Sequence, residues 1–299
     1  MTSDTSSATR VFVEHRELLF SIVYNMLGSV ADTEDVLQEA WLAWSSREAA
    51  EGRERIGSPR AYLARIAVNK ALARQAAISR RRETYVGPWL PEPLVTPFVD
   101  PAGDTESVSL ALLVVLETLT PLERAVFVLH EVFGYAHTET AEILGRSPAA
   151  VRQLAHRACE HVQARRPRHR ADPRLRQQVT EHFVAAVSGG DLEALLRILA
   201  PDVTLWADGG GKATAAGPRP VHGREKVARL LAGATGRAPS VLDVRYRRVN
   251  GDPSALLFDG DSPFAVLVLD LVPGGRQVRG VYFLTNPDKL TGLTQEDNG

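Results

Sequence analysis

The stretch AHTETAEILGRSPAAVRQLAHRACEHV, Ala136 to Val162, decides how the rest of the chain is read. It has the form of two helices joined by a tight turn. Ala141 is a small residue where the helices touch, Gly145 sits four positions later in the turn, and Val151, six further on, buries the second helix. Ser147 offers a side-chain oxygen to cap that second helix, and Pro148 suits its first turn, where a missing N–H costs nothing. Ser147, Ala150, Arg152, Gln153, His156 and Arg157 then face outward. Arg and Gln can make paired hydrogen bonds to base edges in the major groove, while the others reach phosphates. The pattern predicts a DNA-reading helix-turn-helix; taken alone, it also fits an ordinary helical hairpin.

Upstream, the chain is helical in pattern as far as Arg82. Val11, Leu18, Leu19, Ile22, Val23, Met26 and Leu27 recur at spacings of three and four, and Gly28 closes that helix. A cap-like Asp32 opens DTEDVLQEAWLAW, in which Asp35, Gln38, Glu39 and Trp41 share a polar and aromatic surface. A solvated acidic face is the bland reading, but flanking tryptophans favour an interaction surface. SPRAYLARIAVNKALARQAA starts with Ser58 as cap and Pro59 in the first turn, and offers Arg65, Asn69, Lys70 and Arg74 to grip a single strand. TPLERAVFVLHEVFGY, just before the opening stretch, again starts with a cap, Thr120, and a first-turn Pro121.

Between these helical blocks, GPWLPEPLVTPFVDPAGD is too rich in Pro and Gly for a regular helix and reads as an interdomain linker. Trp89, Leu90, Leu94, Val95 and Phe98 make it apolar enough to dock on something. After the arginine-rich run around 165–174, the last region reads as helix, helix, strand, helix and then strands, with turn signals at Asn250-Gly251 and Gly274-Gly275. Three helices and a long antiparallel sheet make an α+β domain. Within it, LWADGGGKATAAGP fails as a phosphate loop. A Walker loop needs glycine where Trp206 stands and Ser or Thr where Ala213 stands.

At 299 residues and 44% hydrophobic, the chain can form two or three packed domains. A net charge of -1 excludes a uniformly basic nucleic-acid binder but not local patches such as Arg80–Arg82. The single cysteine, Cys159, excludes an internal disulfide and suits a reducing compartment, and no apolar run is long enough to span a bilayer. His130, His137, His156 and His161 lack ligand spacing, so no metal is expected, and no cofactor.

Together, DTEDVLQEAWLAW, SPRAYLARIAVNKAL and the long stretch from Leu119 to Ala158 resemble an ECF-type bacterial RNA polymerase sigma factor over roughly residues 10 to 165. The resemblance implies sigma region two at 10–84, a linker at 85–107 and region four at 108–166. It assigns Asp35, Gln38, Glu39 and, beside them, Trp41 to docking on core RNA polymerase. Arg65, Asn69, Lys70 and Arg74 fall to the melted minus-ten element, and Ser147, Arg152, Gln153, His156 and Arg157 to the minus-thirty-five element of promoter DNA. Cys159 stands where the family usually has another basic residue, so one phosphate contact is expected to be missing.

The chain continues well beyond region four. WLPEP (Trp89–Pro93), DGGGK (Asp208–Lys212) and NPDKL (Asn286–Leu290) are similar to signatures of the SigJ-like subgroup, whose members carry a fused SnoaL-like domain of cone fold. That implies such a domain at 175–290, acting on the sigma factor in cis with no separate anti-sigma factor. Trp89, Leu90, Pro91, Asp208, Gly209, Gly210, Gly211, Lys212, Asn286, Pro287, Asp288, Lys289 and Leu290 would form the regulatory interface, with Lys212 reaching the sigma helices or the linker. The expected protein is cytoplasmic and not an enzyme. The alternative is that the cone pocket senses a small-molecule effector or, through Asp202, Asp208 and His222, carries acid–base chemistry.

Overall fold

The computed structural model describes residues 2–48, 56–96, 108–165, 172–213, 217–233 and 242–293. Phe98 and the arginines at 166–170 lie outside them. The chain forms two compact units, one from residues 1–83 with 115–166, the other from 84–114 with 167–299.

The first unit is helical. Helices α1 (Thr2–Leu27), α2 (Val30–Glu48) and α3 (Pro59–Glu83) pack together. Leu19, Ile22, Val23, Met26 and Leu27 of α1 are buried, as the three-and-four spacing predicts. Leu63, Ala64, Ala67, Val68 and Ala71 line the facing stripe of α3, where small alanines let the helices approach closely. Gly28 ends α1 with φ 68°, a left-handed conformation that suits glycine. The cap of α2 is Ser29, whose Oγ accepts the Asp32 N–H, so Asp32 lies in the first turn and is not the cap.

The second half of this unit holds the end of α4 (Leu110–Leu116), α5 (Pro121–Phe127), a five-residue π-helical turn at Val128–Val132, α6 (His137–Leu144) and α7 (Pro148–Arg165). Thr120 and Glu123 form a reciprocal capping box at the start of α5. Gly145, at φ 62°, makes the turn between α6 and α7.

The second unit is a seven-stranded sheet in the order β1-β4-β5-β6-β7-β2-β3, formed by β1 (Val95–Thr96), β2 (Leu199–Asp208), β3 (Val221–His222), β4 (Asp243–Val249), β5 (Asp252–Asp259), β6 (Ser262–Leu271) and β7 (Val278–Leu284). It is mixed where an antiparallel sheet was expected, because β2 runs parallel to β7. The crossover from β2 to β7 passes through α10 (Arg224–Ala232) and four strands, β3 to β6, which frees β2 from hairpin geometry. Strand β2 starts at Leu199, four residues before the expected Val203. The Asn250-Gly251 turn between β4 and β5 has both residues at positive φ, the geometry that suits a two-residue hairpin.

Both faces of the sheet are covered. Ala255, Leu267, Leu269 and Val281 pack on α8 (Pro173–Ser188), α9 (Leu192–Ile198) and α10, while Leu256, Val266, Val268, Tyr282 and Leu284 pack on the linker and α4. This accounts for the near-continuous apolar run AVLVLDL in β6: a strand covered on both sides cannot alternate with polar residues. The linker, too rich in Pro and Gly for a regular helix, adds β1 to the edge of β4.

Candidate functional site

Region by region, the side chains singled out in the sequence fall into three groups. On α7, Arg152, Gln153, His156 and Arg157 are exposed on one face, opposite the buried Val151, Ala155 and Ala158. Ser147 caps this helix by accepting the Ala150 N–H at 3.2 Å. Arg157 Nε lies 3.1 Å from Glu123 Oε1, tying the recognition helix to the capping box of α5. His156 lies 3.4 Å from Glu160.

In α2 and α3, the residues expected on two separate surfaces meet in one ionic network. Lys70 Nζ lies 2.9 Å from Glu39, and Arg74 contacts Asp32, Asp35 and Glu39. Asp32, buried, accepts from both Arg74 and Arg81; in the sequence it reads only as a helix cap. Burial opposes its ionisation, but the hydrogen bonds from Arg74 and Arg81 outweigh it and hold the carboxyl below the ordinary aspartate value. Gln38 and Arg65 are exposed. Asn69 Nδ2 donates to the Ile143 carbonyl at 3.4 Å. Trp41 packs edge-on against Phe12, whereas Trp44 is a core residue whose indole N–H donates to the Ala8 carbonyl. Of the two tryptophans, only Trp41 keeps some exposure for an interaction surface.

In the second unit, the three short motifs converge. Asp208, fully buried at the end of β2, accepts from the Tyr85 hydroxyl at 2.5 Å, the Leu90 N–H at 2.8 Å and the Lys289 ammonium at 2.7 Å. Lys289 also donates to the Leu90 carbonyl, and its ammonium lies 4.1 Å from the Trp89 ring centroid and 5.1 Å from that of Tyr85. The Asp208 carbonyl accepts the N–H groups of Thr285 and Asn286, and Asn286 Nδ2 donates to the Tyr85 hydroxyl at 2.7 Å. Asn286 also caps the short helix α11 (Pro287–Leu290), which places Leu290 in the core beside Leu90. Pro91 is buried too. Burial and the Asp208 carboxylate push the Tyr85 phenol well above its ordinary value, so it stays a neutral donor.

The glycines of DGGGK follow from this packing. Gly210 and Gly211 adopt φ of 60° and 73°, and a Cβ at Gly210 would fall 2.5 Å from Asn286 Nδ2. Lys212 pairs with Asp288 at 2.6 Å, within the second unit, in an exposed bridge. Tyr85 is the linker residue that sequence reasoning missed, because nothing in the sequence couples it to Asp208.

The acid–base trio does not assemble. Asp208 belongs to the linker clamp, Asp202 is exposed, and His222 is exposed with its Nδ1 3.0 Å from the Thr204 hydroxyl. Strand alternation also puts Asp202, Thr204 and Asp208 on the opposite side of β2 from Val203 and Leu205, which face the helices. Among the described residues, no group of three His, Cys, Asp or Glu could hold a metal ion, and no helix is long and apolar enough to cross a membrane.

Comparison with known families follows the same three-part division. Residues 11–82 match the sigma-70 region 2 family, 109–162 the sigma-70 region 4 family, and 180–286 the SnoaL-like domain. The ECF RNA polymerase sigma factor SigJ of Mycobacterium tuberculosis is 38% identical over 290 residues, covering 93% of this chain and 91% of that protein. The chain belongs to the ECF RNA polymerase sigma factors. This sigma factor therefore binds core RNA polymerase and directs promoter-specific transcription initiation.

The crystal structure of Mycobacterium tuberculosis SigJ matches the sigma factor with a TM-score of 0.70 at 35% identity, covering 93% of this chain and 96% of that one. A probable ECF sigma factor of the same species, SigI, is 31% identical over 292 residues, 95% of each chain. RpoE of Bartonella quintana, solved with the anti-sigma factor NepR, aligns with a TM-score of 0.40 at 16% identity over 55% of this chain and 96% of that one.

Proposed function

We propose that the SnoaL-like extension regulates this cytoplasmic sigma factor in cis, by gripping the linker that leads from region two to region four. One observation carries the reading: buried Asp208 and Lys289 of the extension hold Tyr85 and Leu90 of the linker. A linker held by a buried ion pair, two backbone bonds and an apolar core cannot move independently of the extension. The extension serves as a regulatory clamp and not as an enzyme, since Asp208, the buried carboxylate at the end of β2, is committed to the linker.

In the helical unit, Asp35, Gln38, Glu39 and Trp41 present the surface for core polymerase. Arg65, Asn69, Lys70 and Arg74 serve the melted minus-ten strand, and Ser147, Arg152, Gln153, His156 and Arg157 serve the minus-thirty-five element. The test is run-off transcription with core polymerase, comparing the full chain with one lacking residues from Asn286 onward. The expected result is altered promoter-dependent transcription with core binding retained. Unchanged transcription removes the case for cis regulation through this segment.

A further inference from the structure

At the entry to the helix-turn-helix, two imidazoles lie against each other. The rings of His130, in the π-helical turn, and His137, the first residue of α6, have centroids 3.9 Å apart at a tilt of 41°. Their hydrogen bonding is unequal. His130 Nδ1 stands 2.7 Å from the Tyr135 carbonyl, which can only accept, so Nδ1 carries a proton and donates it. Its Nε2 lies 3.9 Å from Glu131 Oε1, where a second proton would find a counter-charge. The His137 ring is half-buried and has no hydrogen-bond partner among the described residues. One imidazole is therefore anchored by the protein, and the other keeps its ring nitrogens for a partner from outside. Packing them together has a cost, since two imidazoles this close repel once both are charged.

A helix-turn-helix docks with its second helix in the major groove and its first helix crossing the DNA backbone. In that arrangement the start of α6 meets a phosphate, while Arg152, on the exposed face of α7, meets the base edges beside it. We propose that His137, backed by His130, is a phosphate-binding group of the minus-thirty-five complex, and that it takes up a proton as the DNA arrives. The proton comes from solvent and no covalent bond changes otherwise; the imidazolium N–H donates to a phosphate oxygen. A contact to the backbone carries no sequence information, so His137 sets affinity and Arg152 sets preference. This inference rests on the assignment of α7 to the minus-thirty-five element.

The charges around the pair keep His137 neutral until DNA is present. Burial, then the charges of His130 and Arg152, hold it below the ordinary histidine value, and Glu131 alone pulls the other way. Two further charged side chains stand nearby. Glu139, in the first turn of α6, is occupied by the Ala136 N–H at 2.7 Å. Arg60 of α3 lies over the Tyr135 ring, 5.4 Å from its centroid. A phosphate at hydrogen-bond distance supplies the missing negative charge, and an opposite charge within about 4–6 Å favours the protonated imidazole. With the His137 value low in the free protein and raised in the complex, binding consumes a proton at any pH between the two. Promoter affinity then rises as pH falls through that interval, by at most about tenfold per pH unit for one proton, and is level on either side of it.

The test uses the full chain bound to core polymerase, on duplex promoter fragments with a cognate or a scrambled minus-thirty-five sequence, from pH 8 to pH 5.5. Core polymerase and the exposed His156 of α7 titrate too, so the readout is the ratio of parent to variant affinity at each pH. His137→Gln should match the parent at pH 8 and bind about tenfold more weakly at pH 5.5, by the same factor on both fragments. His130→Gln removes a charge that acts on His137, and should move the rise in affinity to higher pH. If His137→Gln fails to fold by circular dichroism, His130→Gln decides, because a histidine that only packs would leave the pH profile in place. A parent-to-His137→Gln ratio that stays constant across pH, or a rise that His130→Gln leaves at the parent's pH, overturns the inference. So does a rise abolished by His156→Gln and kept in His137→Gln, which assigns the proton to the recognition helix. A parent that shows no preference for the cognate fragment at any pH overturns the reading of α7 and this inference with it. Preference retained with a constant ratio overturns this inference alone.

Discussion

Lys289 Nζ stands 2.7 Å from Asp208 Oδ2, with the lysine side chain 6% and the aspartate 0% exposed. An ion pair so dry is stable only because every remaining valence is used: Tyr85, Leu90 and the Gly210 N–H complete the carboxylate, and the Leu90 carbonyl and two aromatic rings complete the ammonium. Two of the three elements in this node come from the extension and one from the linker. Folding of the extension and capture of the linker are therefore one event.

Breaking one side of that pair leaves the other charge buried and uncompensated. Asp208→Asn or Lys289→Met is expected to cost about 3–5 kcal/mol, with the double variant losing less than the sum. Urea unfolding of the four proteins measures the coupling. Additive losses would mean that the two charges do not depend on each other.

Gly210→Ala isolates the packing of DGGGK on NPDKL. The left-handed backbone alone costs a non-glycine residue about 1–2 kcal/mol. Gly274 has a similar φ of 67°, but a Cβ there would meet nothing within 4 Å, whereas at Gly210 the methyl would meet Asn286. Thermal melts should show Gly274→Ala losing only the backbone cost and Gly210→Ala losing clearly more, with its Asn286–Tyr85 contact broken. Equal losses would show that Asn286 yields without cost.

Asp32 sets an acid limit on the helical unit. Its folded pKa lies below the ordinary 3.8, so its stabilisation is fully present above that value and is lost as pH falls through the lower, folded one. Asp32→Asn should lower the melting temperature at neutral pH and flatten the decline of stability below about pH 4. Melts of both proteins from neutral to acid pH check this; parallel curves would place the acid sensitivity elsewhere.

Much of this architecture was legible because local chemistry dictated it. Ser147, Pro148 and Gly145 mark the recognition helix by capping and turn geometry that short spacings reveal. The double cover of β6 leaves its trace in a near-continuous apolar run. Sheet direction was not: the parallel pairing of β2 with β7 depends on a crossover and has no local signature. The partners of buried charge were equally hidden. Asp32 looked like a helix cap because an aspartate near a helix start commonly is one, and only the approach of α3 shows that Arg74 and Arg81 claim it. Lys212 looked like a contact to another element, yet its partner, Asp288, lies in the same extension, across a pair exposed enough to contribute less than about 1 kcal/mol.

Arg152 and Arg157 share the exposed face of α7 but have different freedom. Arg157 is held by Glu123, which also completes the α5 capping box, and hydrogen bonds from Thr120, then Arg157, keep that carboxyl below its ordinary value. A guanidinium tethered to the scaffold is positioned for the phosphate backbone, while Arg152, nearer the N-terminal end of the helix, is placed for base edges. Arg152→Ala should therefore cost about 1–3 kcal/mol on the cognate promoter and relax preference at one base pair. Arg157→Ala should weaken binding evenly across sequences and reduce the salt slope by about one. Binding isotherms on the cognate and a scrambled minus-thirty-five duplex, at several salt concentrations, separate the two. Sequence-independent loss from Arg152→Ala would reassign it to the backbone, and promoter-selective loss from Arg157→Ala would show that Glu123 releases it to read a base.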